Sequence, residues 1–181
     1  MTIIGIPLAV LTAILSLAWT LALPVDYSFL SASASLSSLT LDGIECEKRE
    51  YSNFHIHSHL DIFINGEKFI VPSNIGIIPN TCLYWMHTHE DSGVIHIESP
   101  ENRTFTLGQF FHIWGEKLSN NQIFDNVVED NKTLSVYING KKVSGGTEYG
   151  QIPLGKHDEI AIVYGRLPES VPSKYDFPEG L

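Results

Sequence analysis

The chain has 181 residues and a formal net charge of −10, with 21 acidic residues against 11 basic ones. A nucleic-acid partner is not expected, because the phosphate backbone of DNA or RNA requires a positively charged protein surface. The same excess of acidic residues disfavours docking on anionic lipid and gives the protein a mild attraction for cations.

The N-terminal segment Ile3–Leu23 is apolar and carries no charged side chain. About 20 such residues cross a bilayer as a helix, so residues 1–24 are predicted to be an uncleaved transmembrane anchor or a signal peptide. The basic start of a signal peptide is missing, although Ala32-Ser33-Ala34 resembles a cleavage site. Both alternatives place the rest outside the cytoplasm. The protein is then a single-pass cell-membrane protein, with the membrane as a partner through this helix, or it is secreted.

The remaining chain divides into three parts by composition. Residues 25–43 are rich in Ser and low in charge, and they are predicted to form a flexible spacer. Residues 44–165 contain the regular hydrophobic patterns and are predicted to be one ectodomain. Residues 166–181 contain three prolines and are predicted to form a tail. Glycosylation sequons at Asn102 and Asn131 are consistent with export.

Two cysteines, Cys46 and Cys82, occur in the sequence. In an oxidising compartment an even number of cysteines predicts a disulfide, which here would close a loop of about 36 residues. The alternative makes Cys82 a copper or zinc ligand. Side-chain alternation disfavours this alternative, because Cys82 would point away from His87 and His89 if all three lie on one strand.

Residues 54–64 alternate between apolar and polar side chains and predict a half-buried strand. One face of this strand carries three histidines and an acidic residue: His55, His57, His59 and Asp61. Asn65-Gly66 follows and predicts a hairpin, because both turn positions require a positive φ. The histidines are therefore expected on one side of a rigid strand.

Two more strands are predicted at Leu83–His89 and Val94–Glu98, and the turn between them contains Glu90. In the antiparallel register, His87 faces His96, and opposed residues have Cβ atoms about 4.5–5.5 Å apart. The register places three imidazoles and one carboxylate on the same face: His87, His89, His96 and Glu98.

Thr106 and Gln109 form a capping-box pattern that predicts the start of a helix. Apolar residues then recur at helical spacing, which predicts one face packed on the core: Leu107, Phe110, Phe111, Trp114 and Leu118. Leu134–Ile138, the Asn139-Gly140 turn and Ile160–Tyr164 predict further sheet. The expected fold class is α+β, with the N-terminal helix followed by one mostly antiparallel sheet and one packed amphipathic helix.

Six of the eight histidines fall within residues 54–98, which predicts a site for a transition metal, copper or zinc. Neutral imidazole is a ligand for both metals, and His-x-His on a strand presents two imidazoles to one side. The preferred ligands are His57, His59, His87 and His89; His96 is the next candidate, and His55 is expected to be peripheral. Three carboxylates are placed to orient imidazoles, to ligate, or to act as the general base of an enzyme: Asp61, Glu90 and Glu98.

Three functions stay open from the sequence. The first is binding or handling of one copper or zinc ion without turnover. The second is a metal-dependent hydrolase or oxidase, whose ion keeps an open coordination position. The third is an accessory or interaction module that has structural histidines and an envelope protein as its partner. A cupin site is disfavoured, because Gly93 and Val94 stand where a cupin glutamate is expected after His89.

Three motifs carry a resemblance to a known family. They are His-x-His-x-His-Leu-Asp-Ile-Phe-Ile-Asn-Gly from His55, Tyr-Trp-Met-His-Thr-His-x-x-Ser-Gly-Val-Ile-His-Ile-Glu-Ser-Pro from Tyr84, and Phe-Thr-Leu-Gly-Gln-Phe-Phe-x-Ile-Trp-Gly from Phe105. The chain resembles, over about residues 44–165, an uncharacterised family of exported or anchored prokaryotic proteins. The resemblance implies export and architecture, but no reaction. Residues 136–163 are also similar to the closing half of a sulfur-carrier β-grasp domain, which implies a β-grasp-like fold; without a terminal Gly-Gly the carrier chemistry is not implied.

Overall fold

The structure is a computed structural model that describes residues 39–129 and 131–181. These residues belong to one compact unit, Leu36–Leu181. The predicted anchor or signal peptide, residues 1–24, lies outside the described residues. Within the described ranges, no helix is both long enough and apolar enough to span a bilayer.

The described chain forms short and long strands around one α-helix. The strands before the helix are β1 Thr40–Leu41, β2 Ile44–Glu47, β3 Phe54–Ile64, β4 Glu67–Phe69, β5 Ile77–Ile78, β6 Cys82–Tyr84, β7 Met86–His87 and β8 Val94–Ser99. The helix is α1 Leu107–Trp114. The strands after it are β9 Leu118–Ser119, β10 Gln122–Ile123, β11 Asn126–Val127, β12 Leu134–Ile138, β13 Lys141–Lys142 and β14 Glu159–Tyr164, with a 3-10 turn at Tyr149–Gln151 before β14.

The predicted α+β class is wrong, and the β-grasp-like expectation is wrong with it. The described protein is mostly sheet, with 38% strand and 8% helix. The helix begins as predicted, because Thr106 and Gln109 form the capping box. It ends after 8 residues, since Gly115 takes a left-handed φ of 77° and its N–H caps the last turn. Leu118, expected on the helix, therefore lies in β9, and the chain continues as short strands.

One large sheet holds most of the long strands, in the order β13-β12-β14-β3-β8-β7, and β4 pairs with the far end of β3. β14 runs parallel to β3, whereas β8 is antiparallel to β3 and to β7. Two smaller sheets have the orders β1-β2-β6-β5 and β11-β10-β9. The central position of β3 places its histidines between β14 and β8.

The two predicted Asn-Gly hairpins are confirmed. Asn65 and Gly66 have φ values of 54° and 90°, and they join β3 to β4. Asn139 and Gly140 have φ values of 51° and 76°, and they join β12 to β13. Both central residues have the positive φ of the primed turns that match strand twist.

The two faces of the large sheet have different partners. One face packs against α1 and forms the main core, and its buried members from the central strands are Leu60, Ile62, Ile95, Ile97, Ile160 and Ile162. Because side chains alternate along a strand, the histidines of β3 and β8 point to the other face. We call this second surface the histidine face.

The predicted disulfide is confirmed, and it joins Cys46 of β2 to Cys82 of β6 with their Cα atoms 5.4 Å apart. Cys82 is therefore not available as a metal ligand. β6 leads through Trp85 directly into β7, which carries His87. The crosslink thus secures the strand from which part of the histidine face is built.

Residues 166–181, expected to form a tail, pack along the histidine face. Val171 joins a small apolar cluster that includes Phe63 of β3. Farther along, Tyr175 stacks on His59 with ring centroids 3.8 Å apart. The last residues of the segment contact His157, whose Nε2 lies 3.0 Å from the Leu181 carbonyl oxygen. The segment therefore covers the part of the face around His59.

Candidate metal centre

Three imidazoles form a row across three neighbouring strands of the histidine face. In the register of the sheet, His57 of β3 is opposite His96 of β8, and His96 is opposite His87 of β7. The predicted pairing of His87 with His96 is confirmed. Neighbouring strands lie about 4.8 Å apart, so side chains at directly opposed positions can reach a common ion. β8 is the middle strand of the row.

The first set of ligands, which we call the His87 group, consists of His87, His89 and His96. The Nε2 atoms of His87 and His89 lie 3.2 Å apart. His87 is fully buried, and its Nδ1 lies 2.8 Å from the Tyr84 carbonyl oxygen. A carbonyl oxygen only accepts, so Nδ1 carries the proton and Nε2 keeps a free lone pair. Metal-binding histidines are commonly oriented by this type of hydrogen bond.

The second set, the His55 group, consists of His55, His57 and His96. His57 Nε2 lies 3.0 Å from His55 Nε2 and 3.1 Å from His96 Nδ1. A ring nitrogen has one in-plane N–H or one lone pair, so His57 Nε2 cannot make two strong hydrogen bonds at once. The three nitrogens converge closely enough to serve as ligands of a common cation.

Two carboxylates lie beside the imidazoles, Glu98 next to both groups and Glu50 next to the His87 group. Glu98 Oε1 is 3.1 Å from His55 Nε2 and 3.6 Å from His96 Nδ1. The other oxygen of Glu98, Oε2, is buried and has no hydrogen-bond partner among the described residues. Glu50 Oε1 is 3.5 Å from His89 Nε2 and is exposed. Glu50, His87 and Glu98 also form a group whose ligand atoms lie within 4.8 Å of one another.

The nitrogen spacing fits a coordination shell. A tetrahedral zinc ion with Zn–N bonds of about 2.0–2.1 Å holds its nitrogens about 3.3 Å apart. The closest nitrogen pairs in the two groups are separated by 3.0 Å and 3.2 Å. Several clusters of His, Asp and Glu in the described part of the chain can therefore hold a metal ion.

Burial keeps the central imidazoles in the form that binds metals. Desolvation lowers the pKa of His57 to about 4, assisted by the charges of His96 and His55. Burial also lowers the pKa of His87 to about 4, against the opposing effects of the Tyr84 carbonyl and Glu98. Both rings are thus neutral near pH 7, with a lone pair available for a cation.

The carboxylate of Glu98 is under two opposing influences. Its burial raises the pKa, but the interaction with His96 and the charges of the other nearby histidines outweigh this effect. The pKa of Glu98 therefore lies below its usual value. The centre thus contains a buried carboxylate that is negatively charged at neutral pH, close to the neutral rings of His57 and His87.

His59 lies in a separate, buried acidic cluster. Its Nδ1 is 2.6 Å from Glu159 Oε2, and its Nε2 is 2.8 Å from the Ser92 carbonyl oxygen. Asp61 belongs to the same cluster and forms an ion pair with Lys68, with 2.6 Å between Nζ and Oδ1. Burial raises the pKa of Glu159, and the hydrogen bond with His59 partly offsets this rise. Because both nitrogens of His59 already have partners, we interpret this cluster as structural.

The predicted ligands are distributed over these clusters. The two histidine groups contain five of the six predicted imidazoles, namely His55, His57, His87, His89 and His96, and Glu98 lies beside them. His59 and Asp61 are in the acidic cluster. Glu90 is exposed at the edge of a cleft of about 360 Å³ that is also lined by His89, His96 and Tyr175.

Three contributors were missed by the sequence reasoning. Glu50 lies in a connection that shows no periodicity, and nothing in its neighbourhood links it to His89. Glu159 is the first residue of the otherwise apolar strand β14, and a charged residue at the start of a buried strand is a signal that could have identified it. The Tyr84 carbonyl belongs to the backbone, so no side-chain pattern predicts its contact with His87.

No protein-family model, curated protein or solved structure significantly matches the chain. The family resemblance expected from the sequence motifs therefore stays a prediction. The function of the centre has to be inferred from its own geometry.

Proposed function

We propose that the protein binds a transition-metal ion, copper or zinc, through the His87 group, and that it works outside the cytoplasm. The observation that carries the proposal is the orientation of His87. Its Nδ1 proton is held by the Tyr84 carbonyl, and its Nε2 faces His89 Nε2 at 3.2 Å. Imidazole-rich sites suit zinc and copper, whereas magnesium and calcium prefer oxygen ligands.

The compartment is supported by the cysteines. Cys46 and Cys82 are joined, and disulfides persist in oxidising environments while they are rare in the cytosol. An exported protein also meets metals without the buffering of the cytoplasm. Binding and handling of the ion is therefore the first candidate for its role.

A metal-dependent hydrolase or oxidase is the second candidate, and one specific observation favours it. The cleft of about 360 Å³ opens beside His89 and His96, which are both members of the His87 group. With three protein nitrogens on the ion, a fourth position facing this cleft would be available for water or substrate. Glu90 at the rim would be the nearest candidate base.

The test is the metal content of the full chain, purified in detergent without a His-tag, stripped with chelator and reloaded with Zn²⁺ or Cu²⁺. After removal of free metal, we expect at least one retained ion per chain by elemental mass spectrometry. His89→Ala should lose an ion, and because the ring is half exposed the variant should keep its fold.

The matched control is His112→Ala, because His112 is exposed and pairs with Asp42 away from the histidine face. It should retain the full metal content. A wild-type protein that retains no ion, or a His89→Ala variant that retains as much as wild type, would overturn the proposal. Circular dichroism of each variant establishes that the fold is kept.

A further inference from the structure

Each of the two histidine groups has a pair of ligands that the other group lacks, and the two pairs lie on opposite sides of β8. His55 and His57 come from β3, whereas His87 and His89 come from β7 and the residues that follow it. His96 of β8 belongs to both groups. Its ring centroid is 4.6 Å from that of His57 and 5.5 Å from that of His87. One imidazole thus stands between two separate sets of nitrogens.

Glu98, like His96, lies between the two sets of histidines, but it offers carboxylate oxygens instead of ring nitrogens. It lies two residues after His96 on the same face of β8, opposite His55. Its Oε1 faces the His55 group at 3.1 Å, and it also belongs to a candidate group with His87 and Glu50. The side chain is 4% exposed, and its Oε2 has no hydrogen-bond partner within the described ranges. A buried, unpaired carboxylate oxygen is costly unless a cation satisfies it.

We infer that the face is a two-metal centre, in which His55 and His57 hold a second divalent transition-metal ion and Glu98 and His96 lie between the two ions. The inference rests on the proposed function, because it adds a second ion to the one bound by the His87 group. Paired ions in proteins are typically about 3.5–4 Å apart. Shared carboxylates fit that separation, since each oxygen can face one ion.

The charge of the site is suited to two cations. Glu98 lies between the groups, and Glu50 lies 3.5 Å from His89 at the outer edge. The chain as a whole has a formal net charge of −10. Neutral imidazoles complete the shells without adding positive charge.

The stoichiometry of Cu²⁺ binding tests the inference. The full chain, stripped and reloaded with Cu²⁺ in detergent, should retain two ions. His55→Ala removes a ligand that belongs to the second site alone, so the variant should retain one ion. The His55 side chain is 40% exposed, so its removal should leave the fold intact. His89→Ala should also retain one, and the His112→Ala control should retain two.

Electron paramagnetic resonance tests whether the two ions share ligands. Two Cu²⁺ ions a few ångströms apart couple magnetically, so the signal of an isolated Cu²⁺ should disappear as the second ion binds. His55→Ala should restore the isolated signal. Glu98→Gln keeps the shape of the side chain and removes its charge, and we expect it to retain only one ion.

The outcomes separate the two proposals. If wild type and His55→Ala each retain one ion, the two-metal centre is wrong and the His87 site stands. If neither retains an ion, both proposals are wrong. Two ions with undiminished, isolated signals, or two ions retained by Glu98→Gln, would overturn the shared arrangement.

Discussion

Tyr84 controls the chemistry of His87 through its backbone, not its side chain. Its carbonyl oxygen lies 2.8 Å from Nδ1 of His87, and this bond fixes the ring so that Nε2 faces the other imidazoles. At the same time, complete burial makes protonation of His87 unfavourable. The residue is therefore held neutral and oriented before any ion arrives.

The stability of the metal-free protein should fall as the pH falls from 6.5 to 4. The pKa of His57 and of His87 is lowered from 6.5 to about 4 in the folded protein. Between pH 6.5 and 4 the two histidines bind protons in the unfolded chain but stay neutral in the folded protein. The free energy of unfolding therefore decreases as the pH falls. We expect a loss of about 1–3 kcal/mol per histidine, measured by urea unfolding at pH 7, 5.5 and 4.

His57→Gln removes one of the two histidines with a lowered pKa, so the stability should depend less steeply on pH. His112→Ala, on the exposed side of α1, should leave it unchanged. A stability that rises as the pH falls through the same window would contradict the account.

At the residue scale, the sequence predicted the imidazoles but not all of their partners. Alternation along a strand is a local property, so His55 and His57 could be placed on one face from spacing alone. Glu159 binds His59 from a position 100 residues away, and Glu50 reaches His89 from an irregular connection. Contacts between such distant segments depend on strand order, which no local spacing encodes.

The disulfide fastens the elements on which β7 depends. It joins β2 to β6, and the register of β2 with β6 aligns Cys46 with Tyr84, three residues before His87. Motion of β6 would thus move the carbonyl that orients the ring.

Replacing both cysteines by alanine should therefore weaken stability and metal binding together. The crosslink spans 36 residues, and the chain-entropy model gives a loss of about 3–4 kcal/mol in unfolding free energy. Chemical denaturation measures the first effect, and competition with a chromogenic chelator measures the second. Unchanged zinc affinity in the double variant would show that β7 is positioned without the crosslink.

At the element scale, the turns were predicted from the sequence more accurately than the fold class. The Asn-Gly turns and the capping box of α1 are confirmed, because they depend on a few adjacent residues. The α+β class was wrong because the extent of the helix depends on Gly115. Gly115 adopts the left-handed conformation and ends α1, so Leu118 packs against the core from β9 instead of from the helix. The apolar spacing alone could not distinguish these outcomes.

On the scale of the whole molecule, the segment 166–181 completes the histidine face. Tyr175 stacks on His59 with an interplanar angle of 7°, and Val171 packs with the cluster around Phe63. The ring that Tyr175 covers is the one whose Nδ1 contacts Glu159. Three prolines suggested a tail, and only the packing reveals this role.

Tyr175→Ala should loosen this segment and expose the acidic cluster. Loss of the stacked ring is expected to cost about 1–2 kcal/mol of stability and to increase proteolysis within residues 166–181. Tyr175→Phe keeps the ring and serves as the matched control. Equal stability and equal cleavage of the two variants would show that the stack does not secure the segment.

The parallel pairing of β14 with β3 has a consequence for how the molecule is assembled. Contacts such as that of His59 with Glu159 bridge 100 positions, and long closures of this kind are slow. β3, β8 and β7, by contrast, all lie within residues 54–99. The strands that carry the two histidine groups can therefore pair with one another before β14 joins the sheet. We expect the row of imidazoles to form early in folding and the buried contact of His59 with Glu159 to form late.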